Sequence, residues 1–387
     1  MSDFTVRVVR IDQPVVDHPN ADRLSLVRIA GFECISNKVD GRPRYQEGDY
    51  VVYIPEASVL PEWLLKRLDM WDEANNKGFL AGSEGNRVKT IKLRGIVSQG
   101  VLLPVEVQTV MGADRLKDCL VLHTDSEDFF VDEGEDVAAY LGITKYEPPI
   151  PVHMAGAITP CAHTKKYDFE SIQKLPDLFT PGEAVVATEK THGTFVQIGF
   201  VPGLAHPECF GQNGDIYVCS KGYGQQGLVF SNSPQNDTNL YVRVLRDLLA
   251  REWEGKLAAL CHMFSNQAIR VFGEIIGPGV QDLHYGLKAP ELRVFDIMVN
   301  EEFLPPHAFR QAASALSFPT VPVLYEGPYD LDALVKVRDG KDYSGSHVRE
   351  GIVIRAADGS SHEVHGRKIG KWVSPDYLLR KNATEFQ

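Results

Sequence analysis

Closely spaced cysteine pairs, which mark many small zinc and disulfide domains, are missing from this sequence. The chain has six cysteines in 387 residues, and no two of them form a Cys-x-x-Cys pair. Cys161 and His163 offer two possible metal ligands, but without a second close pair they do not predict a zinc site. Sparse cysteines without a pairing pattern are typical of a reducing compartment. We therefore expect free thiols and an intracellular protein, cytoplasmic or otherwise.

Long apolar runs are missing too. No stretch approaches the roughly 20 apolar residues that cross a bilayer, and residues 1–7 do not have the pattern of a signal peptide. There is no internal repeat and no low-complexity tract. The hydrophobic share of 43% and the charged share of 24% are typical of a globular protein. We expect no membrane partner.

Basic residues are fewer than acidic ones, and the formal net charge is −12. That balance argues against a whole surface built to bind nucleic acid. It does not exclude a local basic groove, because the field at a site depends on the charges nearby.

Residues 1–146 consist of short runs of β-forming residues separated by turn residues. Several short strands in this arrangement predict a small barrel or sandwich. One such run is 87–94, where alternation puts Arg87 and Lys89 on one face. Cations on a barrel wall suit a nucleic-acid backbone, and an edge strand protected by its charges is an equally good interpretation.

Three prolines at positions 148, 149 and 151 predict a linker at 147–152, between a domain of residues 1–146 and one of residues 153–387. In the second domain, apolar residues recur at helical spacing over 239–263. The G-x-G-x-x-G pattern at 222–227 is followed by a turn-rich stretch instead of the helix that a dinucleotide fold requires.

Lys190 stands between two apolar runs, 184–188 and 195–200, that read as buried strands. Packing does not require a lysine there, because burying a charge costs free energy. We expect it in a turn at the rim of a sheet. An ordinary lysine has a pKa of about 10.4. Burial and neighbouring cations would lower that pKa and make the amine a nucleophile. On its own, however, the pattern is more typical of a solvated turn lysine.

Further segments follow in a fixed order after Lys190, and each alone is typical of packing or of a solvated surface. They are Ser220-Lys221-Gly222, Phe272-Gly273-Glu274, Phe295-Asp296-Ile297, Glu350-Gly351-Ile352-Val353 and the pair Lys368 and Lys371. As a set, they resemble the motifs of covalent nucleotidyltransferases, which include DNA ligases, RNA ligases and mRNA capping enzymes. The resemblance covers Lys190 to Lys371, about half of the chain.

The position of the candidate barrel narrows the resemblance. DNA ligases and capping enzymes have an OB domain after the transferase domain, whereas here the barrel comes first. The whole chain is similar to the fifth RNA ligase family, which has an N-terminal OB module. This similarity implies an α+β protein with an OB-like β-barrel followed by an adenylyltransferase domain. The second domain would be ATP-grasp-like, with antiparallel sheets and flanking helices.

The resemblance also implies roles for the motif residues. Lys190 would attack the α-phosphate of ATP and form lysyl-AMP, and the AMP would then activate an RNA 5′-phosphate for attack by a 3′-OH. Glu350 would hold Mg²⁺ or Mn²⁺, and Glu274 would bind the ribose or support the metal. The other implied nucleotide contacts are Glu189, Gly193, Lys221, Phe295, which would stack on adenine, and the pair Lys368 and Lys371.

Two residues depart from the family pattern. Ile369 occupies the place of the first lysine in the last motif, with Lys368 as a neighbouring substitute, and Lys221 stands where many relatives have arginine. We expect an ATP-dependent RNA ligase that acts as a monomer on RNA ends or nicked duplexes. A DNA ligase, a capping guanylyltransferase and a non-catalytic RNA-binding protein remain alternatives.

Overall fold

The computed structural model describes residues 4–111, 116–147 and 150–380. Contacts group them into two compact units, one within Asp3–Glu147 and the other within Pro148–Gln387. In the expected linker at 147–152, Pro148 and Pro149 lie outside the described residues. None of the described helices is long and apolar enough to cross a bilayer.

The N-terminal domain is built almost entirely from short antiparallel strands. Its described helices are Glu62–Arg67 and Ala138–Leu141. The strands are Arg7–Arg10, Val16–Asp17, Leu24–Ile29, Phe32–Val39, Arg42–Pro43, Tyr50–Ile54, Ser58–Val59, Trp71–Asp72, Lys77–Gly78, Ile91–Leu93, Ile96–Ser98, Val101–Pro104, Glu106–Met111, Leu116–His123, Asp128–Val131 and Thr144–Lys145.

The strand Tyr50–Ile54 runs through the middle of this domain, between Arg7–Arg10 and Val101–Pro104. Four of its five residues are buried, because it packs against cores on both of its faces: Val52 and Ile54 on one, Val51 and Tyr53 on the other. A strand buried on both sides reads as a continuous apolar run, which is how this segment appears in the sequence.

The predicted strand over 87–94 is wrong in length. Only Ile91–Leu93 is a strand, and it pairs with Ile96–Ser98 in a hairpin. Arg94 forms the turn with Gly95 and has a φ of +47°. A residue with left-handed backbone angles cannot continue a strand, so the chain turns at Arg94, where the sequence pattern alone predicts an extended strand.

The C-terminal domain mixes strands with longer helices. Its strands are Ile158–Pro160, Ala184–Lys190, Thr194–Phe200, Ile216–Ser220, Leu228–Phe230, Ile269–Ile276, Glu291–Val299, Glu302–Phe303, Val323–Pro328, Gly351–Ala356, Ser361–His362, Gly366–Arg367 and Ile369–Val373. Its α-helices are Lys221–Gln225, Leu240–Ala250, Trp253–Met263, Pro306–Ala315, Leu331–Arg338 and Pro375–Leu378, and its 3₁₀ helices are Val152–Met154, Ile172–Lys174 and Pro234–Asn236.

Two antiparallel sheets organise this domain. Sheet A has four strands, in the order Val323–Pro328, Ala184–Lys190, Gly351–Ala356 and Ile369–Val373. Sheet B has five, in the order Ile216–Ser220, Thr194–Phe200, Ile269–Ile276, Glu291–Val299 and Glu302–Phe303. The mixture of sheets and helices is the α+β class predicted from the sequence.

The predicted helix over 239–263 is two helices. Leu240–Ala250 and Trp253–Met263 are separated at Glu252, which has a φ of +64°. Helical spacing continues across this break, so the sequence does not reveal it. Asn239 begins the first helix by accepting a hydrogen bond from the backbone N–H of Val242. Both helices pack on sheet B around a shared apolar core.

An aromatic cluster packs where the two sheets meet. Phe272 is fully buried and contacts the ring of Tyr167 at 4.8 Å between centroids. Phe195 and Phe295 from sheet B join the cluster, as does Ile369 from sheet A. The polar side chains of the cavity lie beside this apolar cluster.

Candidate active site

A cavity of about 290 Å³ opens in the C-terminal domain, and Lys190 lies on its wall. Lys190 is the last residue of its strand in sheet A, where it pairs with Gly351. It therefore lies at the rim of the sheet, as expected, but in a strand instead of a turn. The next three residues carry the chain to Thr194, where sheet B begins.

The strand register brings Lys190 to Glu350. Because Lys190 pairs with Gly351, the preceding Glu350 lies next to it, and its Oε1 accepts a hydrogen bond from the Lys190 Nζ at 2.5 Å. The Glu350 side chain is 10% exposed. Its second oxygen, Oε2, is buried and has no hydrogen-bond partner among the described residues. An unsatisfied carboxylate oxygen at this position is suited to a cation.

Glu274 and Gly193 form the neighbouring part of the wall. Glu274 pairs with Phe195 in the middle of sheet B, and burial raises the pKa of its carboxyl to about 8, with Lys190 opposing and Glu350 adding to the rise. A Cβ on Gly193 would lie 2.1 Å from the carbonyl oxygen of Ile275. Close packing of backbones therefore requires a glycine here.

Phe295 reaches the cavity through an irregularity in sheet B. Phe272 pairs with Asp296 and Gly273 with Val294, so Phe295 is an extra residue with no partner across the strands. A bulge of this kind re-aims a side chain. The ring of Phe295 lines the cavity and contacts that of Tyr167 at 5.3 Å.

Two further lysines line the cavity. Lys221 begins the short helix Lys221–Gln225, and its Nζ lies 3.0 Å from an oxygen of Asp168. Lys371 comes from the edge strand of sheet A. Burial, together with the charges of Lys190 and Lys221, lowers the pKa of Lys371 to about 8.

The pKa of Lys190 moves in the opposite direction to the one we expected. Burial alone would lower it, but the nearby charges of Glu350 and Glu274 outweigh burial and raise it above its usual value. In this structure the lysine that is close to losing its proton is therefore Lys371. The expectation failed because it counted cations beside Lys190 and not the carboxylates that the register brings there.

Glu189 lines the same cavity and is 2% exposed. Its Oε1 accepts a hydrogen bond from the backbone N–H of Tyr343, and its Oε2 lies 3.6 Å from Nε of Arg349. Burial raises the pKa of this carboxyl to about 7, against the charge of Arg349.

Lys368 does not line the cavity. Its Nζ binds both carboxylate oxygens of Glu183 at 2.9 Å. Glu183 precedes the strand that ends at Lys190, and seven residues of strand span roughly 20 Å. Lys368 precedes the strand Ile369–Val373, in which Ile369 and Lys371 share one face, so strand alternation does not bring it to the cavity. Lys368 therefore does not replace the missing lysine of the last motif.

Several residues of this site were not identified from the sequence. Asp168 binds Lys221 but lies far upstream of Lys190, in a segment with no recognisable motif. Asp296 is fully buried, accepts a hydrogen bond from the Tyr167 hydroxyl at 2.8 Å and lies 3.4 Å from Arg355. Arg355 lines the cavity and donates to the carbonyl oxygen of Phe295 at 3.1 Å, which fixes the bulge. Asp296 lies within the motif Phe295-Asp296-Ile297, and Arg355 lies two residues beyond the motif that begins at Glu350. These positions were the only signal for the two residues.

Elsewhere in the described part of the chain, the side chains placed to share a metal are those of Asp177, His362 and His365. Nδ1 of His362 accepts hydrogen bonds from the backbone N–H groups of Val364 and His365, so the proton of the neutral ring lies on Nε2. A protonated nitrogen cannot be a ligand, and this cluster is not a preformed metal site. The pair Cys161 and His163 is not part of such a group.

Comparisons with known proteins agree with this architecture. Residues 183–373 match the model of the RNA ligase family, and residues 4–105 match that of an OB-fold domain. No curated protein sequence gives a significant match.

Solved structures of Naegleria gruberi RNA ligase have a similar fold. A mutant with ATP and Mn has 22% identity and a TM-score of 0.70, with 97% of this chain and 98% of that chain covered. The same ligase with PPi has 23% identity and a TM-score of 0.69, with 97% of each chain covered. At these identities the likeness establishes the fold. The C-terminal domain of this chain is similar to the RNA ligase family over residues 183–373, and it follows a domain that is similar to an OB-fold domain.

Proposed function

We propose that this protein is an ATP-dependent RNA ligase that joins a 3′-OH to a 5′-phosphate through a lysyl-AMP intermediate. The observation that carries the proposal is the position of Lys190, 2.5 Å from Glu350 on the wall of a cavity that Glu274, Phe295 and Lys371 also line. The RNA ligase family model and the relatives solved with ATP, Mn and PPi support the same reaction.

In the first step, the lone pair of Lys190 Nζ attacks the α-phosphorus of ATP. A phosphorus–nitrogen bond forms, the bond to the pyrophosphate oxygen breaks and pyrophosphate leaves. Phe295 provides a face for the adenine ring, while Lys221 and Lys371 neutralise phosphate oxygens. Positioning and charge neutralisation supply most of the rate in phosphoryl transfer.

Lys190 must first lose a proton, because its ammonium form has no lone pair. In the structure, Glu350 and Glu274 stabilise that ammonium form. A positive charge would provide a partner for the unsatisfied Oε2 of Glu350 and would lower the raised pKa of Glu274. The two carboxylates therefore fit Mg²⁺ or Mn²⁺. A divalent ion held there would neutralise the carboxylates and lower the pKa of Lys190.

The second and third steps act on RNA. An oxygen of the RNA 5′-phosphate attacks the phosphorus of lysyl-AMP, which breaks the phosphorus–nitrogen bond and returns Lys190 as an amine. The 3′-OH then attacks the phosphorus of the activated 5′ end, and AMP leaves with its phosphate. We propose that a monomer carries out all three steps on RNA ends or on a nicked duplex.

The first step is tested by incubating the protein with α-labelled ATP and Mg²⁺ or Mn²⁺, followed by denaturation. Label should remain on the wild type and be absent from Lys190→Ala. Lys336, an exposed lysine of the helix Leu331–Arg338, provides the matched control Lys336→Ala, which should label normally. Equal labelling of wild type and Lys190→Ala would reject the proposal, and stronger labelling by GTP would indicate a capping enzyme.

The substrate is tested on nicked duplexes with RNA or DNA placed separately on each side of the nick. We expect sealing to require RNA on at least one side. Sealing of all-DNA nicks at the same rate would indicate a DNA ligase. Tight RNA binding without any labelling would indicate a non-catalytic RNA-binding protein.

A further inference from the structure

The segment 191–193 connects Lys190 to sheet B, and one of its residues faces away from the active site. Lys190, Thr191 and Gly193 line the cavity, whereas His192 does not. The side chain of His192 is 5% exposed. A buried imidazole two residues after the proposed nucleophile, yet outside the cavity, is placed to hold the chain and not to contact the nucleotide.

Both ring nitrogens of His192 are hydrogen-bonded. Nε2 lies 2.7 Å from Oδ1 of Asp282, and Nδ1 lies 2.7 Å from the hydroxyl oxygen of Tyr377. A carboxylate only accepts hydrogen bonds, so Nε2 of the neutral ring carries the proton and Nδ1 accepts from the Tyr377 hydroxyl. The backbone N–H of His192 donates to the hydroxyl oxygen of Tyr285 at 2.6 Å. The segment is therefore fixed through both its side chain and its backbone.

The partners of His192 are themselves fixed by Arg380. Nη2 of Arg380 lies 3.1 and 2.9 Å from the two carboxylate oxygens of Asp282. The guanidinium of Arg380 also lies 3.8 Å from the centroid of the Tyr377 ring, in a cation–π contact. The side chains of Asp282 and Arg380 are 19% and 11% exposed, so this ion pair is largely shielded from water. The arrangement limits the movement of both groups that bind the imidazole.

The helix Pro375–Leu378 contains Tyr377 and is fixed at its start as well. The backbone N–H of Ser374 donates to the carbonyl oxygen of Glu350 at 2.8 Å, and the carboxylate of Glu350 binds Lys190. This helix and its flanking residues therefore contact two neighbours of Lys190, the residue whose carboxylate binds its amine and the histidine two residues along the chain.

We propose that Tyr377 is a positioning residue of the ligase reaction. Its hydroxyl, with the carboxylate of Asp282, fixes the imidazole of His192, and the imidazole fixes the orientation from which Lys190 attacks the α-phosphorus. Attack requires alignment of the amine with the departing pyrophosphate, and a displacement of about 1 Å can reduce such a rate by about 100-fold. The inference rests on Lys190 being the nucleophile of the proposed ligase.

The test is Tyr377→Phe, which removes one hydroxyl and retains the ring. We expect the single-turnover rate of Lys190 labelling at saturating α-labelled ATP to fall about tenfold, because the imidazole is no longer fixed at Nδ1. The KM for ATP should stay within about twofold of that of wild type, since Tyr377 does not line the cavity. A residue that only stabilises the fold would change thermal unfolding and leave the rate of the folded protein unchanged.

The matched control is Tyr325→Phe. The hydroxyl of Tyr325 donates to the carbonyl oxygen of Pro328 at 2.7 Å, in sheet A and outside the cavity. This variant also loses one hydroxyl and one hydrogen bond, and it should label at the rate of wild type.

A double-mutant cycle tests whether Tyr377 acts through His192. His192→Ala should reduce the labelling rate at least as much as Tyr377→Phe does. Adding Tyr377→Phe to His192→Ala should then reduce the rate no further, because the two residues share one interaction. Rate reductions that multiply would show that Tyr377 acts by another route and would overturn the inference.

Labelling of Tyr377→Phe at the rate of wild type would also overturn the inference, even with lowered thermal stability. So would a raised KM for ATP with an unchanged rate at saturation, which would indicate a contact with the nucleotide. A loss of rate in Tyr325→Phe as large as in Tyr377→Phe would contradict it as well. Failure of the ligase proposal is distinguishable, because wild type itself would then remain unlabelled.

Discussion

The cavity of the C-terminal domain and a groove of about 500 Å³ in the N-terminal domain both contain cations and an aromatic ring, but they arrange charge differently. We call the second the OB groove, and its lining includes Phe79, Arg44, Arg87 and Lys89. In the cavity, Lys190 lies against Glu350 and Lys221 against Asp168. Burial raises the pKa of Glu274, and the charge of Lys221 outweighs burial and lowers the pKa of Asp168. The described wall of the OB groove has cations only, and its ring is exposed.

This difference indicates that the cavity is suited to chemistry and the OB groove to binding. Paired charges in a half-buried site have protonation states that depend on one another, so an arriving phosphate or cation can redistribute protons there. Cations that have no carboxylate beside them change their protonation little on binding and act by attracting a polyanion. The comparison predicts that cavity variants impair labelling of Lys190 and that groove variants impair RNA binding, with little crossover.

The largest expected effect is that of Glu350→Gln. The substitution keeps the size of the side chain and removes the negative charge beside Lys190, along with a ligand for the divalent ion. We expect the rate of labelling by α-labelled ATP to fall by at least about 100-fold, as when one essential electrostatic contact is removed. The measurement is a single-turnover time course.

The groove variant Phe79→Ala is the counterpart in that experiment and should label at the rate of the wild type. If Glu350→Gln also labelled at that rate, the pairing of charges in the cavity would be irrelevant to the chemistry. The contrast between the two sites would then be lost.

The next effect concerns the proton of Lys371. With a pKa of about 8, its charge is present below pH 8 and is lost as the pH rises above it. Affinity for an ATP analogue with a methylene between the α- and β-phosphates should therefore fall about fivefold between pH 8 and pH 9. Lys371→Arg should remove this decline, since arginine stays charged. Binding is measured by calorimetry, and an unchanged decline in Lys371→Arg would assign the titration to another group.

The sequence was sufficient to predict that Lys190, Glu274, Glu350 and Lys371 lie together, because each lies at an apolar strand or its end and all follow in a motif order. It was not sufficient for the pKa of Lys190, since Glu350 is distant in sequence and only the strand register brings the two together. The shift had the opposite sign to the one expected.

The exposure of Phe295 depends on pairing in the same way. A bulge opposite Gly273 is a property of two strands, and one strand alone reads as an ordinary buried run. In the N-terminal domain, the pattern over 87–94 predicted alternation, but Arg87, Val88 and Lys89 all line one groove and most of that segment is not a strand. Contacts across strands do not follow from local alternation.

Phe295 and Phe79 provide a matched pair of aromatic substitutions. Phe295→Ala removes the proposed adenine contact, so the KM for ATP should rise about tenfold, with a smaller change in the labelling rate at saturating ATP. Phe295→Tyr should retain most of the affinity. Phe79→Ala should leave the KM for ATP unchanged. The measurement is labelling rate against ATP concentration, and a raised KM in Phe79→Ala together with a normal one in Phe295→Ala would reverse the assignment.

The smallest expected effect is that of Lys368→Ala. Lys368 binds Glu183 at the far end of the strand from Lys190, outside the cavity, so the rate of Lys190 labelling should stay within about twofold of the wild type. Lys371→Ala, three residues along the chain, should reduce the labelling rate much more, because it removes a phosphate contact. Thermal unfolding of Lys368→Ala would show a modest loss of stability from the broken ion pair. A labelling defect as large as that of Lys371→Ala would mean that Lys368 reaches the nucleotide after all, and the last motif would then hold a lysine pair as it does in relatives.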